Sequence, residues 1–272
     1  MTRVISGAVL ITMAVAVVWF APSPVFFAFG ELLLVLAFIE YARLAAGCGL
    51  PVPVVPAGVA TVVASVGVSS THWLGDRLVT TAFVLDAALI SGFIVLAALT
   101  LTTWHGDKDT GALGRAAASV FPMLYLGVPI GAIVSLHATR GSAAVFLLML
   151  TVMVSDTAQY YSGRAFGRRL LAPAISPKKT VEGAIGGFIF GAATLAVAGA
   201  WWLPDLPVAL RAVLGLTIVA LGIAGDLFES MLKRSAGVKD SSALIPGHGG
   251  VLDRIDALLF AAPVYYVVLK YV

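Results

Sequence analysis

The chain has 272 residues, of which 60% are hydrophobic and only 11% are charged, with a formal net charge of +3. Soluble domains are about half apolar and about a quarter charged, so this composition excludes an ordinary water-soluble enzyme and predicts an integral membrane protein. The single cysteine, Cys48, excludes an intramolecular disulfide and any metal site that needs several thiolates. Because backbone polar groups need internal partners in lipid, and the apolar runs lack the alternation of a barrel, we expect an all-α bundle.

Nine apolar runs are long enough to cross a bilayer as helices. They are predicted at 4–20, 25–46, 52–69, 78–101, 115–136, 142–162, 184–203, 208–232 and 257–272. If the N-terminus is cytoplasmic, thirteen of the 17 lysines and arginines fall in cytoplasmic loops, all except Arg77, Arg140, Arg211 and Lys270. The positive-inside rule therefore favours this orientation, with the chemistry on the cytoplasmic side.

The polar residues divide the chain into two regions. Residues 1–141 have short, chemically sparse loops and are predicted to be an N-terminal membrane scaffold. Residues 142–272 have two long polar loops and are predicted to be the catalytic membrane region. Three acids lie within the spans of the first region, Glu31, Glu40 and Asp86, and two interpretations stay open for them: polar contacts between helices, or the lining of a substrate cavity.

A stretch from Gly225 to Asp256 carries the strongest chemical signal. Its first part has polar side chains at helical spacings of i, i+3, i+4 and i+7, namely Asp226, Glu229, Ser230 and Lys233. These spacings place all four on one face of a membrane helix. Polar groups at membrane depth are costly, which makes a functional role the default interpretation.

The loop after this helix has the composition of a phosphate-binding segment. Basic side chains can neutralise phosphate oxygens, and glycines let backbone N–H groups approach an anion closely. The basic residues are Lys233, Arg234, Lys239 and Arg254, and the glycine-rich run is Pro246 to Gly250. Asp253 and Asp256 return carboxylates to the same region, which indicates Mg²⁺ held against the phosphates of a nucleotide.

The order of these motifs resembles the signature of the phosphatidate cytidylyltransferase family. The matching positions are Lys233-Arg234, Lys239-Asp240, Pro246 to Gly250, and Asp253-Arg254-Ile255-Asp256. A second block, Ser155 to Gly187, resembles the other polar loop of that family. The resemblance implies transfer of a cytidylyl group from CTP to phosphatidate in phospholipid biosynthesis, giving CDP-diacylglycerol and pyrophosphate. We further expect a multi-pass protein of the cell membrane, because the lack of an organelle-targeting segment favours interpreting the chain as bacterial.

The resemblance further implies that Asp226 and Asp253 bind a catalytic metal. In the second block it implies contacts to CTP or to the phosphatidate head group from Ser176, Lys178, Lys179, Thr180 and Glu182. From their chemistry we add Glu229 and Asp256 as metal ligands, and Lys233 and His248 as catalytic residues. We also add, as substrate-binding residues, Asp156, Arg234, Lys239, Asp240, Gly249, Gly250 and Arg254. A second, monovalent cation and a homodimer stay open, and no nucleic acid partner is expected.

Several other interpretations compete with these assignments. Lys233 could simply neutralise a buried Asp226 and Glu229, and His248 could serve only to hold its loop. Much of the basic charge could do no more than set topology or touch anionic lipid. At the level of function, a CTP-dependent lipid kinase would attack the γ-phosphorus instead, and a cation-coupled transporter would also need intramembrane carboxylates.

Overall fold

A computed structural model describes residues 2–70, 78–102 and 111–272, with side chains described for 6–70, 84–102 and 111–272. The first half contains α1 (Thr2–Phe20), α2 (Ser23–Gly47), α3 (Val54–Ser69) and α4 (Leu78–Thr102). It continues with α5 (Ala112–Pro122), a π-helical turn (Met123–Gly127) and α6 (Val128–Phe166). The second half contains β1 (Leu170–Ala172), β2 (Ser176–Thr180), α7 (Val181–Trp202), α8 (Val208–Ser235) and α9 (Leu252–Tyr271). Arg77, used above in the charge count, lies outside the described residues.

The predicted class, an all-α membrane protein, is confirmed. Among the described residues, five helical segments are long and apolar enough to cross a membrane: Ser23–Gly47, Val84–Thr102, Ala112–Phe166, Val181–Trp202 and Val208–Ser235. Two further apolar helices, Ser6–Phe20 and Val54–Ser69, are shorter. Length and apolarity therefore support fewer spans than the nine predicted from the sequence.

The longest segment, Ala112–Phe166, covers two of the predicted spans. As one straight helix its 55 residues would extend for about 80 Å, far beyond a hydrocarbon core about 30 Å thick. Gly141 interrupts the helical geometry inside it, with φ of 80° and ψ of 176°. A positive φ costs glycine little because it has no Cβ. The break falls in the gap between the predicted spans 115–136 and 142–162.

One short hairpin departs from the expectation of helices alone. β1 and β2 pair antiparallel, with Leu170 opposite Thr180 and Ala172 opposite Ser176. The Glu182 carboxylate closes the hairpin by accepting backbone N–H groups from Arg168 at 3.0 Å and Arg169 at 3.2 Å. This loop is polar and largely exposed. Its backbone groups can therefore hydrogen-bond to water, whereas backbone inside the membrane must form helices to satisfy its hydrogen bonds.

Helices α6, α7, α8 and α9 pack against one another most extensively. Glycines in α8 allow α7 and α9 to pack closely against it. A Cβ on Gly215 would lie 2.8 Å from the Cα of Ala192 in α7, and one on Gly225 would lie 2.5 Å from the carbonyl oxygen of Asp256 in α9. Because small residues are what permit such close helix contacts in membranes, this packing places the start of α9 directly beside α8.

Gly225→Ala should lower the apparent melting temperature of the detergent-purified protein, because the new methyl group would meet the α9 backbone. Overpacking of this kind costs about 1–3 kcal/mol. Gly222→Ala is the matched control one turn earlier, since its Cβ would lie an ordinary 3.6 Å from Ala257. Equal melting temperatures for the two variants would contradict this account of the α8–α9 contact.

Candidate active site

The two polar blocks of the sequence meet at one place in the fold. Lys179, in strand β2, directs its ammonium group at Asp226 in α8, with Nζ 2.6 Å from Oδ2. Lys179 is 19% exposed and Asp226 is 31% exposed at the side chain. The hairpin loop of the first block is therefore joined to the polar face of α8 by a partly buried ion pair.

A second lysine joins α8 to α9. The Lys233 Nζ atom lies 2.5 Å from Glu229 Oε2 and 2.5 Å from Asp253 Oδ1. The Glu229 side chain is fully buried, and that of Asp253 is 5% exposed. Lys233 thus neutralises Glu229 and Asp253, whereas Asp226 pairs with Lys179. The interpretation in which Lys233 neutralises both Asp226 and Glu229 holds only for Glu229.

Asp253 also fixes the glycine-rich loop. Its Oδ2 atom accepts hydrogen bonds from the backbone N–H of Gly250 at 2.7 Å and of Ser241 at 2.9 Å, and from Ser241 Oγ at 2.7 Å. Gly249 has φ of 77°, and a Cβ there would approach Asp253 Oδ2 to 2.5 Å. The loop therefore wraps this carboxylate closely, with glycine required where it touches.

Three carboxylates from different helices form an acidic cluster. Asp156 of α6, Asp226 of α8 and Asp256 of α9 interact electrostatically with one another, and Lys179 is the cation that contacts Asp226. Within 6–70, 84–102 and 111–272, no three His, Cys, Asp or Glu side chains converge closely enough to hold a metal ion together. Mg²⁺ usually binds one or two carboxylates and completes its coordination with water and substrate phosphates, so the oxygen donors of this cluster fit that ion.

Sequence reasoning did not assign Glu40 to the site. This residue of α2 is 2% exposed and accepts four hydrogen bonds from the loop and the start of α9. Its intramembrane position was the one available signal, and it fitted two interpretations. Of the other two acids, Glu31 accepts a hydrogen bond from Ser65 of α3 at 2.7 Å, which is a contact between helices, and Asp86 is exposed.

His248 is turned toward α1. Its Nδ1 atom lies 3.0 Å from Ser6 Oγ, and its backbone carbonyl accepts a hydrogen bond from Arg254 Nε at 2.9 Å. Arg234 donates to the carbonyl of Val238 at 3.2 Å, within the same loop. These contacts hold the loop, which agrees with the interpretation of His248 as a structural residue. Its predicted catalytic role stays a prediction.

The remaining predicted substrate-binding residues lie in or next to the hairpin and in the loop between α8 and α9. Lys178, Lys239 and Asp240 are exposed, and Ser176 is half-buried in β2. Thr180 caps α7 by accepting the backbone N–H of Gly183 at 3.1 Å. Thr180 and Glu182 thus have structural partners here, whereas Lys178 and Lys239 are exposed.

Aromatic side chains from α5, the π-helical turn, α8 and α9 pack together. The rings of Phe121, Tyr125 and Phe228 are in mutual contact, with centroids 5.1 to 5.7 Å apart. Phe260 of α9 completes the group at 5.5 Å from Phe228. Tyr125 is presented by the π-helical turn and interacts electrostatically with Glu229 and Asp256. These rings belong to the apolar core of the bundle.

Curated proteins from several bacteria are similar to this chain. A Thermotoga maritima protein named phosphatidate cytidylyltransferase is 37% identical over 171 residues, which is 60% of this chain and 63% of that protein. A Haemophilus influenzae protein of the same name is 50% identical over 129 residues, 44% of each chain. A third, from Brucella suis, is 38% identical over 66% of this chain and 65% of its own length. The chain thus spans about half to two thirds of the length of these relatives.

The family comparison covers more of the chain than any of these pairwise matches. The profile described as the cytidylyltransferase family matches residues 1–272. The match includes the hairpin lysine, the polar face of α8 and the glycine-rich loop, which are the elements that meet at the site. The chain belongs to the cytidylyltransferase family.

Proposed function

We propose that this protein transfers a cytidylyl group from CTP to phosphatidate, giving CDP-diacylglycerol and pyrophosphate in phospholipid biosynthesis. The observation that carries the proposal is the meeting of the two polar blocks through the ion pairs Lys179–Asp226 and Lys233–Asp253. The names of the relatives, phosphatidate cytidylyltransferases, support the same substrates. A nucleotidyltransferase acting on a lipid also accounts for a charged site in an apolar protein.

The reaction joins a phosphate oxygen of phosphatidate to the α-phosphorus of CTP. The bond from that phosphorus to the bridging oxygen breaks, and pyrophosphate leaves with the electron pair. The second pKa of a phosphate monoester is about 6, so the nucleophile is already an anion and needs no strong general base. The protein must instead bring two polyanions together in line and stabilise the leaving charge.

Basic residues around the acidic cluster suit that requirement. Lys179 contacts Asp226 directly, and Lys178 next to it in β2 and Lys239 in the loop after α8 are exposed. Arg234, in the last turn of α8, and Arg254, in the first turn of α9, flank the loop whose glycines allow N–H groups to approach an anion. These groups would hold the phosphates of CTP and the head group of phosphatidate, with Ser176, Asp240, Gly249 and Gly250 lining the same place.

Mg²⁺ is the proposed cofactor. Asp226 and Asp256 would hold it, with Asp156 nearby, because these carboxylates carry more negative charge than Lys179 neutralises. The ion would supply charge stabilisation at the phosphates and at the departing pyrophosphate. Glu229 and Asp253, also predicted as ligands, contact Lys233 in this conformation and would need to exchange that partner. A second, monovalent cation and a homodimer stay predictions.

We propose nine spans, a cytoplasmic N-terminus and an active site that faces the cytoplasm of a bacterial cell. The break at Gly141 supports counting Ala112–Phe166 as two spans. Adding α1, α3 and α9 as spans then gives nine. The lopsided distribution of lysine and arginine supports the orientation.

This topology predicts which introduced cysteines a membrane-impermeant maleimide can reach. In a Cys48→Ser background, Lys239→Cys should be labelled only after spheroplasts are opened, whereas Asp205→Cys should be labelled in intact spheroplasts. Both positions are exposed, Asp205 in the turn between α7 and α8. The opposite pattern would overturn the proposed orientation.

The function is tested by an acceptor swap in detergent, with mass spectrometry of the lipid products. With CTP and Mg²⁺, phosphatidate should yield CDP-diacylglycerol and diacylglycerol should yield nothing. Formation of phosphatidate from diacylglycerol would instead mean a lipid kinase. No product from either lipid, with folded protein, would sink the proposal and leave transport as the alternative.

A further inference from the structure

The buried carboxylate of Glu40 joins the first half of the chain to the site. Its Oε1 atom accepts hydrogen bonds from Ser242 Oγ at 2.7 Å and the Val251 N–H at 3.0 Å. Its Oε2 atom accepts from Ser241 Oγ at 2.9 Å and the Leu252 N–H at 2.8 Å. A buried carboxylate is stable only with partners of this kind, and here each oxygen has two.

We propose that Glu40 is a positioning residue that fixes the orientation of Asp253 for cytidylyl transfer, an inference that rests on the function proposed above. Val251 and Leu252 immediately precede Asp253, so the contacts of Glu40 set where α9 begins. The first N–H groups of a helix have no partner within the helix, and a negative charge there also complements the helix dipole. Glu40 supplies both the acceptor and the charge.

Ser241 connects the two carboxylates directly. Its Oγ atom lies 2.9 Å from Glu40 Oε2 and 2.7 Å from Asp253 Oδ2, so the two carboxylates share its single hydroxyl proton. The Ser241 N–H donates to the same Asp253 oxygen at 2.9 Å. One residue thus contacts the buried anchor and the site carboxylate at once, so a shift at Glu40 would be passed to Asp253.

At Gly250 the loop backbone packs directly against Glu40 and Ser241. A Cβ at this position would lie 2.4 Å from both oxygens of Glu40 and 2.3 Å from Ser241 Oγ. The backbone therefore runs against the carboxylate, and its N–H is left free to donate to Asp253 at 2.7 Å. On its other oxygen Asp253 contacts Lys233, so its orientation depends on α9 on one side and α8 on the other.

Glu40 acts through Asp253 and not on the substrates, because only 2% of its surface is exposed. Glu40→Gln keeps the shape of the side chain, but its amide nitrogen faces hydrogen-bond donors. Substituting a residue that orients a metal-binding side chain, without touching the metal itself, typically costs about 10–100-fold in activity. We expect kcat to fall by that factor in Glu40→Gln. The KM for CTP should change far less, because the loop cations remain.

The experiment compares Glu40→Gln with Glu31→Gln, the same change on the same helix. Glu31 contacts Ser65 of α3, away from the site, so its variant should keep the kcat of the wild type. Adding Ser241→Ala to Glu40→Gln should lower kcat by less than the product of the two single effects, since both act on Asp253. Equal kcat for the two glutamine variants, or fully multiplicative losses, would overturn the proposal.

Hydrogen exchange of the purified proteins separates this inference from the proposed function. In Glu40→Gln the N–H groups of Val251 and Leu252 should exchange at least about tenfold faster than in Glu31→Gln. Unchanged exchange would overturn the anchoring role even if activity fell. If the wild type makes no CDP-diacylglycerol, the proposed function fails, and the exchange data still decide whether Glu40 fixes the start of α9.

Discussion

Asp226→Asn should lower kcat/KM for CDP-diacylglycerol formation by about 10³-fold, on the scale seen when one charge-stabilising group is removed from a preorganised site. Asp226 is the carboxylate that Lys179 contacts and that interacts with both Asp156 and Asp256. A neutral amide would remove the charge that holds the hairpin lysine and the proposed Mg²⁺. The measurement is product formation at saturating and limiting CTP.

Asp205→Asn is the matched control for this loss. Asp205 is exposed in the turn between α7 and α8, and the same change there should leave turnover unaltered. Raising the Mg²⁺ concentration should partly restore Asp226→Asn if the aspartate binds the ion. Activity of Asp226→Asn within about threefold of the wild type would contradict a role at the reacting phosphates.

Lys233→Met should destabilise the protein strongly. Its ammonium lies 2.5 Å from both Glu229 and Asp253, whose side chains are 0% and 5% exposed. Without it two buried carboxylates would face each other, and removing one partner of a buried ion pair costs about 3–5 kcal/mol. The apparent melting temperature in detergent should therefore fall well below that of the wild type.

A double variant identifies the cause of that loss. Glu229→Gln together with Lys233→Met should be more stable than Lys233→Met alone, because one of the two unpaired buried charges is gone. Lys270→Met provides the control, since Lys270 is exposed near the end of α9. If Lys233→Met melted at the same temperature as Lys270→Met, the buried ion pair would have no part in stability.

Much of the helical structure was predictable because each apolar run has the length and composition that lipid demands. The boundaries differ where polar caps extend a helix. The final helix was predicted from residue 257 and begins at Leu252, since Glu40 accepts its first N–H groups. The run predicted from 184 begins at Val181, after the Thr180 cap.

The site was predictable in its local parts and not in its long-range ones. The spacing of Asp226, Glu229 and Lys233 placed them on one face of a helix, and the structure adds Asp253 beside Lys233. Helical periodicity does not say which helices are neighbours, so the intramembrane position of Glu40 marked it as unusual but could not show its contact with a loop more than 200 residues later. Strands of three and five residues are too short for a periodic pattern, which is why the hairpin was not predicted.

Cytidylyl transfer is proposed at the site where Lys179 contacts Asp226 and Lys233 contacts Asp253. The direct test is a single turnover of purified protein with phosphatidate, Mg²⁺ and CTP labelled at either the α- or the γ-phosphorus. We expect α-label to enter the lipid, γ-label to leave as pyrophosphate, and Asp253→Asn to abolish the transfer. Entry of γ-label into the lipid, or undiminished transfer by Asp253→Asn, would contradict the proposal.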